Sequence, residues 1–337
     1  INTCETEMKN NIYIDTRWKN AGGIGTFFEG VNNINQYTPL PFSGSPASPI
    51  DTFRMAFQLR NIKKGVVFLP GYISPFKTRL PYAVTVHDLN HLDRPENSSP
   101  LKIAYYNTFL KRGCLHAEYV FTVSEFSRKR IIEWAGIEPS KVVNVGNGVS
   151  PKFQPEGERI NLGYEYILCV SNRKGHKNEF GTLEAFKHAD IDESIKLVFT
   201  GKANSEILEK INLLKLSNRV VFTGFIPETE LPKLYRSAKA LIFVSFYEGF
   251  GLPVIEAMAS GVPVVTSNTS SLGEISGDAA LLANPNDTMD ISKKLTQVIN
   301  DFNVAKSLMA KGLVHSKKYT WHKTAKLIDD YLNKIHI

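Results

Sequence analysis

The sequence has few cysteines and no long hydrophobic run. Only three of its 337 residues are cysteines, they are far apart, and no Cys-x-x-Cys pair occurs: Cys4, Cys114 and Cys169. This spacing argues against a disulfide framework and a zinc knuckle, and it fits a reducing compartment. Apolar runs such as Ala240–Val244 are far shorter than the roughly 20 residues that span a bilayer. The first residues, 1–11, are polar rather than a signal peptide, so we expect a cytoplasmic protein with Met8 as a candidate natural start.

Charge and composition are those of a folded, basic protein. Hydrophobic residues make up 42% of the sequence and charged residues 22%, so the chain can bury sizeable cores. Its length predicts two domains of about 100–200 residues each. Lys and Arg number 40 against 33 Asp and Glu, and the net charge of +7 suits nucleotide phosphates, an acidic membrane face or nucleic acid. Nucleic acid is the least favoured, because the sequence has no basic stripe with interleaved aromatic residues.

Short apolar strands alternate with amphipathic helices along the chain. The predicted strands are Asn11–Asp15, Val66–Leu69, Ala83–Val86, Tyr119–Val123, Tyr166–Val170, Lys196–Thr200, Val220–Phe222, Ala240–Val244 and Val262–Thr266. This alternation predicts an α/β fold with parallel, doubly wound sheets in two domains that face a cleft. The segment Asn147–Gly163 has the glycines and prolines of a linker. We therefore assign residues 1–150 to a first domain, 151–318 to a second, and 319–337 to a C-terminal helix that packs back toward the first.

The most specific segment, Tyr247–Val265, reads YEGFGLPVIEAMASGVPVV. It predicts a buried strand that ends by Phe246, a turn containing Gly249 and Gly251, and a helix that begins at Pro253. Glycines let backbone N–H groups approach an anion, and a helix N-terminus adds partial positive charge. The turn therefore suits a diphosphate.

Two glutamates flank this turn, Glu248 and Glu256, eight residues apart. A carboxylate at either position can accept two hydrogen bonds from neighbouring sugar hydroxyls, although each glutamate alone is equally compatible with an ordinary surface position. The E-x7-E spacing, with GFGLP between and ASG-PVV after, resembles retaining glycosyltransferases of the GT-B fold, which has two Rossmann-like domains, in family 4 or group 1. The resemblance continues through IYIDTRWKNAGGIGTF, YAVTVHDLNHLDRPE, FTVSEFSRKRI, YILCVSNRKGHKNEF and VVFTGFIPETELPKLYRSAKALIFVS. Their order is similar to the mannosyltransferase-like branch that builds bacterial O-antigens and other surface polysaccharides.

The resemblance implies a donor site in the second half of the chain. Glu256 would hold the nucleotide ribose, and Glu248 would face the donor sugar. Arg173 and Lys177 would neutralise the diphosphate, since fixed cations stabilise the charge that develops as the glycosidic bond breaks. The other implied donor contacts are the turn residues Gly249, Phe250, Gly251 and Leu252, the nucleobase-loop residues Phe225 and Ile226, and Ser271 and Leu272.

In the first half, the resemblance implies that His87, at a predicted strand end, contacts the donor sugar as part of the catalytic set with Glu248, Arg173 and Lys177. The implied loop after the first strand and further cleft candidates are Gly22, Gly23, Ile24, Asp88 and Ser124. Ser124 is equally well placed for a helix N-cap. Ser171 departs from the family pattern, which usually has glycine at this position.

The implied reaction moves a hexose, with retention of configuration, from a nucleotide sugar to a lipid-linked oligosaccharide or other glycan. The acceptor hydroxyl would attack from the face that the diphosphate leaves, and the family implies no cofactor. No metal is expected either, because Asp190–Asp192, which resembles a DxD metal motif, falls in a predicted helix-to-strand connection. GDP-mannose is the favoured donor, and UDP-hexoses and GDP-fucose are alternatives.

Two other functions fit the same fold, a nucleotide-sugar epimerase and a non-catalytic nucleotide-sugar-binding protein. For partners, peripheral attachment to an anionic membrane is one interpretation of basic stretches such as Lys111-Arg112 and Arg128–Arg130. Ordinary solvated helix faces are the other.

Overall fold

The structure is a computed structural model that describes residues 11–46, 48 and 50–337, so Cys4 and Met8 lie outside the described residues. The described chain divides into two compact units. The first unit contains the chain up to Leu92, Ser98–Gly148 and Trp321–Ile337, and the second contains Asp93–Asn97 and Val149–Thr320.

The described part of the first unit is built on a parallel sheet. Its strands are β1 (Ile12–Ile14), β2 (Thr38–Pro39), β3 (Val66–Leu69), β4 (Tyr82–Thr85), β5 (Tyr119–Thr122) and β6 (Val142–Asn144). They lie in the order β2-β1-β3-β4-β5-β6, and every pair is parallel. Because helices cover both faces, the central strands β3 and β4 are buried along their whole length.

The second unit has a parallel sheet of its own, with the strands β7 (Tyr166–Cys169), β8 (Lys196–Phe199), β9 (Val220–Phe222), β10 (Ala240–Phe243), β11 (Val264–Ser267) and β12 (Leu281–Ala283). Their order is β12-β11-β10-β7-β8-β9, so the direction in which strands are added reverses between β7 and β10. Leu241 of β10 pairs with Leu168 of β7, which sets the carboxyl ends of these two strands side by side. The predicted α/β, doubly wound architecture is confirmed in both units.

Helices connect the strands. In chain order they are α1 (Gly22–Asn35), α2 (Asp51–Gln58), α3 (Asn90–Asp93), α4 (Pro100–Tyr105), α5 (Lys111–His116), α6 (Glu125–Ala135), α7 (Glu179–His188), α8 (Ser205–Leu213), α9 (Leu231–Ser237), α10 (Leu252–Ala259), α11 (Ser270–Ser276), α12 (Thr288–Asn300), α13 (Phe302–Ser316) and α14 (Trp321–Asn333). A π-helical turn, Tyr106–Leu110, joins α4 to α5. Shorter 3-10 turns include Thr16–Trp18 and Gly175–Lys177.

The C-terminal helix α14 packs against α1 in the first unit. The contact is close, because a Cβ atom placed on Gly30 would lie 2.2 Å from the ring of Trp321. Phe27, one turn earlier on α1, meets the same indole edge-on at 6.4 Å between ring centroids.

Two predicted boundaries differ at the glycine-rich turns. Helix α1 begins at Gly22, so Gly22, Gly23 and Ile24 form its first turn instead of the loop that the resemblance implied. Helix α10 begins at Leu252, which makes Pro253 the second helical residue and places Glu256 in the second turn. Proline is tolerated there because the first N–H groups of a helix have no partner within it.

Candidate active site

The loops that follow β7 and β10 meet at the carboxyl edge of the second sheet. Their backbones are joined directly, because the N–H of Phe246 donates to the carbonyl oxygen of His176 at 2.8 Å. In a doubly wound sheet, ligands bind where the strand order reverses, which here is between β7 and β10. The topology therefore brings Lys177 and Glu248, which are far apart in sequence, into one candidate site.

Lys177 and Glu248 form an ion pair. The ammonium Nζ lies 2.7 Å from Glu248 Oε1, and the two side chains are only 15% and 12% exposed. The same Nζ lies 5.0 Å from the centroid of the Phe243 ring, within the range of a cation–π contact. A pair so far removed from water is costly to break unless a new anion replaces the carboxylate.

Residues of α11 contact the turn between β10 and α10 and fix its backbone. Ser271 Oγ lies 2.8 Å from the carbonyl oxygen of Glu248 and 3.1 Å from that of Phe250, both in hydrogen-bonding geometry. Gly251 has a φ of +96°, and a Cβ atom there would lie 2.4 Å from a methyl carbon of Leu272. Glycine is therefore required at this position by both backbone conformation and space. Ser271 and Leu272 shape the turn itself.

Glu256 lies on α10 beside Tyr235 of α9. The phenol O–H of Tyr235 donates to Glu256 Oε2 at 2.7 Å. Burial raises the pKa of Glu256 to about 7, against the opposing effect of the Tyr235 hydrogen bond. Such a carboxyl changes charge near neutral pH, and perturbed carboxyls of this kind are concentrated at functional sites.

Arg173 is anchored within its own loop. Its backbone is in the left-handed region, with φ +62°, and its guanidinium lies 3.0 Å from the Glu179 carboxylate. The Nη2 group donates to the carbonyl oxygens of Ser171 and Thr200. The guanidinium carbon lies 5.2 Å from the ring of Phe199 and equally far from that of Phe222. Its buried Nε forms no hydrogen bond to any residue that the structure describes.

The predicted nucleobase loop follows β9. Phe225 is 86% exposed and Ile226 is partly buried. Gly224, just before them, exchanges two backbone hydrogen bonds of 3.1 Å with Gly201. This bridge fixes the start of the loop to the loop after β8 and leaves the aromatic ring in solvent.

In the first unit, His87 follows β4 and is buried. Its Nε2 lies 2.9 Å from the carbonyl oxygen of Pro70, which can only accept, so Nε2 carries the proton and Nδ1 the lone pair. Burial lowers the pKa of His87 to about 4, so the ring is neutral at physiological pH. Phe27 packs edge-on against the imidazole at 4.9 Å between centroids.

The remaining candidates of the first unit have local structural roles. Ser124 caps α6, because its Oγ accepts from the N–H of Ser127 at 3.1 Å, so its N-cap interpretation describes the structure. Asp88 accepts from the N–H of Asn90 at 3.0 Å. The predicted loop residues Gly22, Gly23 and Ile24 form the first turn of α1, where an added Cβ on either glycine would meet open space.

Sequence reasoning missed two partners of the candidate site. Tyr235 lies in the quoted segment LPKLYRS, but its bond to Glu256 depends on the packing of α9 against α10. His176 lies between the predicted cations, and burial lowers its pKa to about 4. For Tyr235, the signal was a hydroxyl within an otherwise recognisable motif, and only the fold shows its partner.

The DxD-like string lies away from these loops, in the connection between α7 and β8. The N–H of Asp190 donates to Thr296 Oγ1 at 3.0 Å, and Asp192 accepts from the N–H of Ser194 at 2.8 Å. Among the described residues, no cluster of three or more His, Cys, Asp or Glu side chains could hold a metal ion. No helix in the described part of the chain is long and apolar enough to cross a membrane.

Comparison with known proteins identifies the class. The model for glycosyl transferases group 1 matches residues 151–313, and the model for glycosyltransferase family 4 matches residues 20–153. Among solved structures, Anabaena Alr3699/HepE in complex with UDP and glucose superposes with a TM-score of 0.76 at 16% identity, covering 97% of this chain and 100% of that one. WaaG, a glycosyltransferase involved in lipopolysaccharide biosynthesis, superposes with a TM-score of 0.72 at 12% identity, covering 96% and 100%. The fold is therefore GT-B.

Two relatives with named activities show to which family the chain belongs. The chain is 31% identical over 294 residues to the O-antigen chain mannosyltransferase B of Escherichia coli, covering 82% of this chain and 77% of that protein. It is 30% identical over 228 residues to the serotype-specific mannosyltransferase WbdA of Escherichia coli, covering 63% of this chain but only 28% of that longer protein. The chain belongs to glycosyltransferase family 4, and it is a glycosyltransferase.

Proposed function

We propose that this enzyme transfers mannose from GDP-mannose, with retention of configuration, to a growing lipid-linked oligosaccharide of a bacterial surface polysaccharide. The observation that carries the proposal is the arrangement of Glu256 and the Lys177–Glu248 pair around the glycine turn at the switch point of the second sheet. The choice of mannose is supported by the named activities of the O-antigen relatives.

In this proposal, Glu256 binds the ribose of the donor. A carboxylate accepts hydrogen bonds from two neighbouring hydroxyls, and charge-assisted hydrogen bonds are about twice as strong as neutral ones. Tyr235 orients one oxygen of Glu256 and leaves the other for the ligand. Donor binding then favours the ionised form of a carboxyl whose pKa is about 7 without donor.

Lys177 serves the diphosphate. Glu248 neutralises its charge in the structure, and an incoming diphosphate would replace that carboxylate as the partner of the ammonium. Glu248 is then released to accept a hydrogen bond from a hydroxyl of the donor sugar. The exchange keeps both charges partnered, and it places a cation where negative charge grows as the glycosidic bond breaks.

Arg173 acts on the same loop with less freedom. Glu179 and two carbonyl oxygens hold its guanidinium in place. We therefore assign Arg173 to electrostatic stabilisation of the diphosphate from this position, rather than to a direct contact that would need its side chain to move. Phe225 and Ile226 would contact the base, the backbone from Gly249 to Leu252 would contact the phosphates and sugar, and Ser271 and Leu272 would fix that backbone.

Retention follows if the acceptor hydroxyl attacks from the face that the diphosphate leaves, with a phosphate oxygen taking the proton. The competing double displacement needs a carboxylate nucleophile on the opposite face. Glu248 is the candidate for that role, but its ion pair with Lys177 favours a binding role. His87, neutral and with a free lone pair on Nδ1, suits acceptance of a hydrogen bond from a sugar hydroxyl.

The experiment is calorimetric titration with GDP, GDP-mannose, UDP and UDP-glucose, followed by NMR of the product formed on a mannose-terminated acceptor. We expect GDP and GDP-mannose to bind, and the product to have the anomeric configuration of the donor. Lys177→Met should lose turnover, whereas Lys187→Met, a matched change at an exposed lysine, should not. Preferential binding of UDP would overturn the mannose assignment, an inverted product would overturn retention, and interconversion of nucleotide sugars without acceptor would indicate an epimerase.

A further inference from the structure

A short segment from the first half of the sequence belongs to the second unit. The segment is Asp93–Asn97, and the chain on either side of it, up to Leu92 and from Ser98 onward, belongs to the first unit. It contains the last residue of α3 and the 3-10 turn Pro95–Asn97. We call it the 93–97 segment. Ordering backbone costs conformational entropy, so contacts within the second unit must offset that cost.

Asp93 binds a tyrosine beside the candidate active site. The phenol O–H of Tyr247 donates to Asp93 Oδ2 at 2.9 Å. Tyr247 is only 6% exposed, and Asp93 is partly buried, so water competes little for this bond. Hydrogen bonds to a carboxylate are about twice as strong as those between neutral groups. Because Tyr247 directly precedes Glu248 in the chain, the bond restrains the backbone from which the Glu248 side chain extends.

Arg94 contacts the residue before Tyr247. Its guanidinium carbon lies 5.0 Å from the centroid of the Phe246 ring, within the range of a cation–π contact. Phe246 is also the residue whose N–H donates to the carbonyl oxygen of His176. Burial lowers the pKa of His176 to about 4, and the positive charge of Arg94 acts in the same direction. The guanidinium of Arg94 therefore lies near both loops of the candidate site.

The far end of the 93–97 segment contacts the loop after β7. A Cβ atom placed on Gly175 would lie 3.6 Å from Oδ1 of Asn97, so these two residues are neighbours. Gly175 begins the 3-10 turn that ends at Lys177. The segment thus contacts the turn that carries Lys177 and also the residues after β10 that lead to Glu248.

These contacts bear on the position of Glu248. Its backbone N–H donates to Ser270 Oγ at 3.1 Å, and its carboxylate lies 2.7 Å from Lys177 Nζ. Ser270 restrains the backbone of Glu248 from the side of α11, whereas Asp93 restrains it through Tyr247. Without the Asp93 bond, Tyr247 loses a directed contact and Glu248 gains freedom to shift. Misplacement of a substrate-binding group by about 1 Å is enough to weaken its contact strongly.

We propose that Asp93 is a positioning residue for the donor sugar. Through Tyr247 it holds Glu248 where that carboxylate accepts a hydrogen bond from the sugar, and Asp93 itself does not contact the donor. This inference rests on the proposed function, in which Glu248 binds the sugar and Glu256 binds the ribose. Glu256 is held separately by Tyr235. The Asp93–Tyr247 bond should therefore contribute to the affinity for a nucleotide sugar and little to the affinity for the nucleoside diphosphate alone.

The test is calorimetric titration of the full chain with GDP and with GDP-mannose, or with UDP and UDP-glucose if the unaltered chain prefers them. Tyr247→Phe should weaken binding of the nucleotide sugar by about threefold to tenfold, which corresponds to the loss of one hydrogen bond. Its affinity for the nucleoside diphosphate should change by less than about twofold. A role in stability alone would not separate the two ligands.

Variants of Asp93 show whether the bond itself is responsible. Asp93→Ala removes the acceptor and should give the same selective loss as Tyr247→Phe. Asp93→Asn keeps an acceptor oxygen for the phenol and should bind the nucleotide sugar within about twofold of the unaltered chain. Asp93→Ala combined with Tyr247→Phe should bind no more weakly than the weaker single variant, because both changes remove the same bond.

Tyr82→Phe is the matched control. Tyr82 is 5% exposed, and its O–H donates to the carbonyl oxygen of Gly113 at 2.7 Å in the first unit. It begins β4 and so lies at the amino end of the strand, away from the carboxyl edge of its sheet. The variant loses a comparable buried bond and should unfold at a lower urea concentration, yet bind both ligands as the unaltered chain does. All variants should keep the circular dichroism of the unaltered chain.

Three results would overturn the positioning role. These are an unchanged affinity of Tyr247→Phe for the nucleotide sugar, an equal loss for both ligands, or a loss in Asp93→Asn as large as that in Asp93→Ala. In each case the unaltered chain still binds the nucleotide sugar, so the proposed function stands. Absence of nucleotide-sugar binding by the unaltered chain would instead overturn the proposed function and this inference together.

Discussion

Replacing Glu256 by glutamine should stabilise the protein and weaken donor binding at the same time. Burial raises the pKa of Glu256 from 4.5 to about 7, so the folded protein prefers the neutral carboxyl and opposes its ionisation. Glutamine is neutral at every pH, has nearly the same shape, and its carbonyl oxygen can still accept the O–H of Tyr235. The variant therefore removes the cost of the charge and keeps the local hydrogen bond.

The magnitude follows from linkage. A folded-state pKa that is raised gives stability that is fully present below pH 4.5 and is lost as the pH rises through about 7. At 1.36 kcal/mol for each unit, the loss is about 3 kcal/mol. Glu256→Gln should equal the unaltered chain in free energy of unfolding at low pH. It should exceed it by up to about 3 kcal/mol at about pH 8.

Donor affinity should change in the opposite direction. A charge-assisted hydrogen bond contributes about 1.5–3 kcal/mol, so the loss of the carboxylate should weaken GDP binding by about tenfold to a hundredfold. For the unaltered chain, the affinity for GDP should fall as the pH drops below about 7, since the carboxyl then becomes protonated. The variant should lack this dependence.

The assay has two parts. Urea unfolding is measured from about pH 4.5 to pH 8 with a spectroscopic probe in the second unit, and GDP is titrated over the same pH range. Glu209→Gln, at an exposed position on α8, is the matched control and should change neither quantity. An unfolding difference that does not vary with pH would refute the argument from burial. An unchanged affinity for GDP would refute the ribose contact and leave the burial argument standing.

Three further predictions concern the same loops. Tyr235→Phe removes the hydrogen bond that favours ionised Glu256, so the loss of GDP affinity at low pH should begin at a higher pH, as titration across pH would show. Lys177→Met should reduce turnover with saturating donor by about 2–4 kcal/mol in transition-state stabilisation, measured as kcat. Gly251→Ala forces a side chain into a φ of +96° against Leu272, which should cost about 1–3 kcal/mol of stability by denaturant unfolding and weaken donor binding.

Each of these has its own contrary result. An unshifted pH profile for the tyrosine variant would mean that its hydroxyl does not act on the glutamate. Wild-type kcat for the lysine variant would remove it from the diphosphate site. Full stability of the alanine variant would mean that the turn can relax without glycine.

The α/β fold could be predicted from the sequence because its buried parallel strands are continuous apolar runs. Val66–Leu69 and Val220–Phe222 have the predicted bounds, since turn residues on both sides limit them. Helix α2 was not predicted, because its eight residues are too few to show a clear helical period.

In the candidate site, the sequence predicted residue types but not their partners. The pairing of Lys177 with Glu248 needs β7 and β10 to be neighbours, and strand order is a property of the whole sheet. The ion pair between Arg173 and Glu179 is local in sequence, yet it depends on a left-handed backbone at Arg173. Such a conformation cannot be predicted there, because the residue is neither glycine nor asparagine. The assigned roles of these residues in donor binding stay predictions.

The path of the chain has a consequence for engineering. Helix α14 completes the first unit after Val149–Thr320, the long segment of the second unit, so this segment is inserted between Gly148 and Trp321 rather than appended. The ends of this insert are adjacent, because the N–H of Val149 donates to the carbonyl oxygen of Tyr319 at 3.2 Å. Under the proposed donor assignment, exchange of donor specificity between relatives would be a replacement of Val149–Thr320 with two neighbouring junctions. A simple fusion of two halves would leave α1 without the helix that covers it.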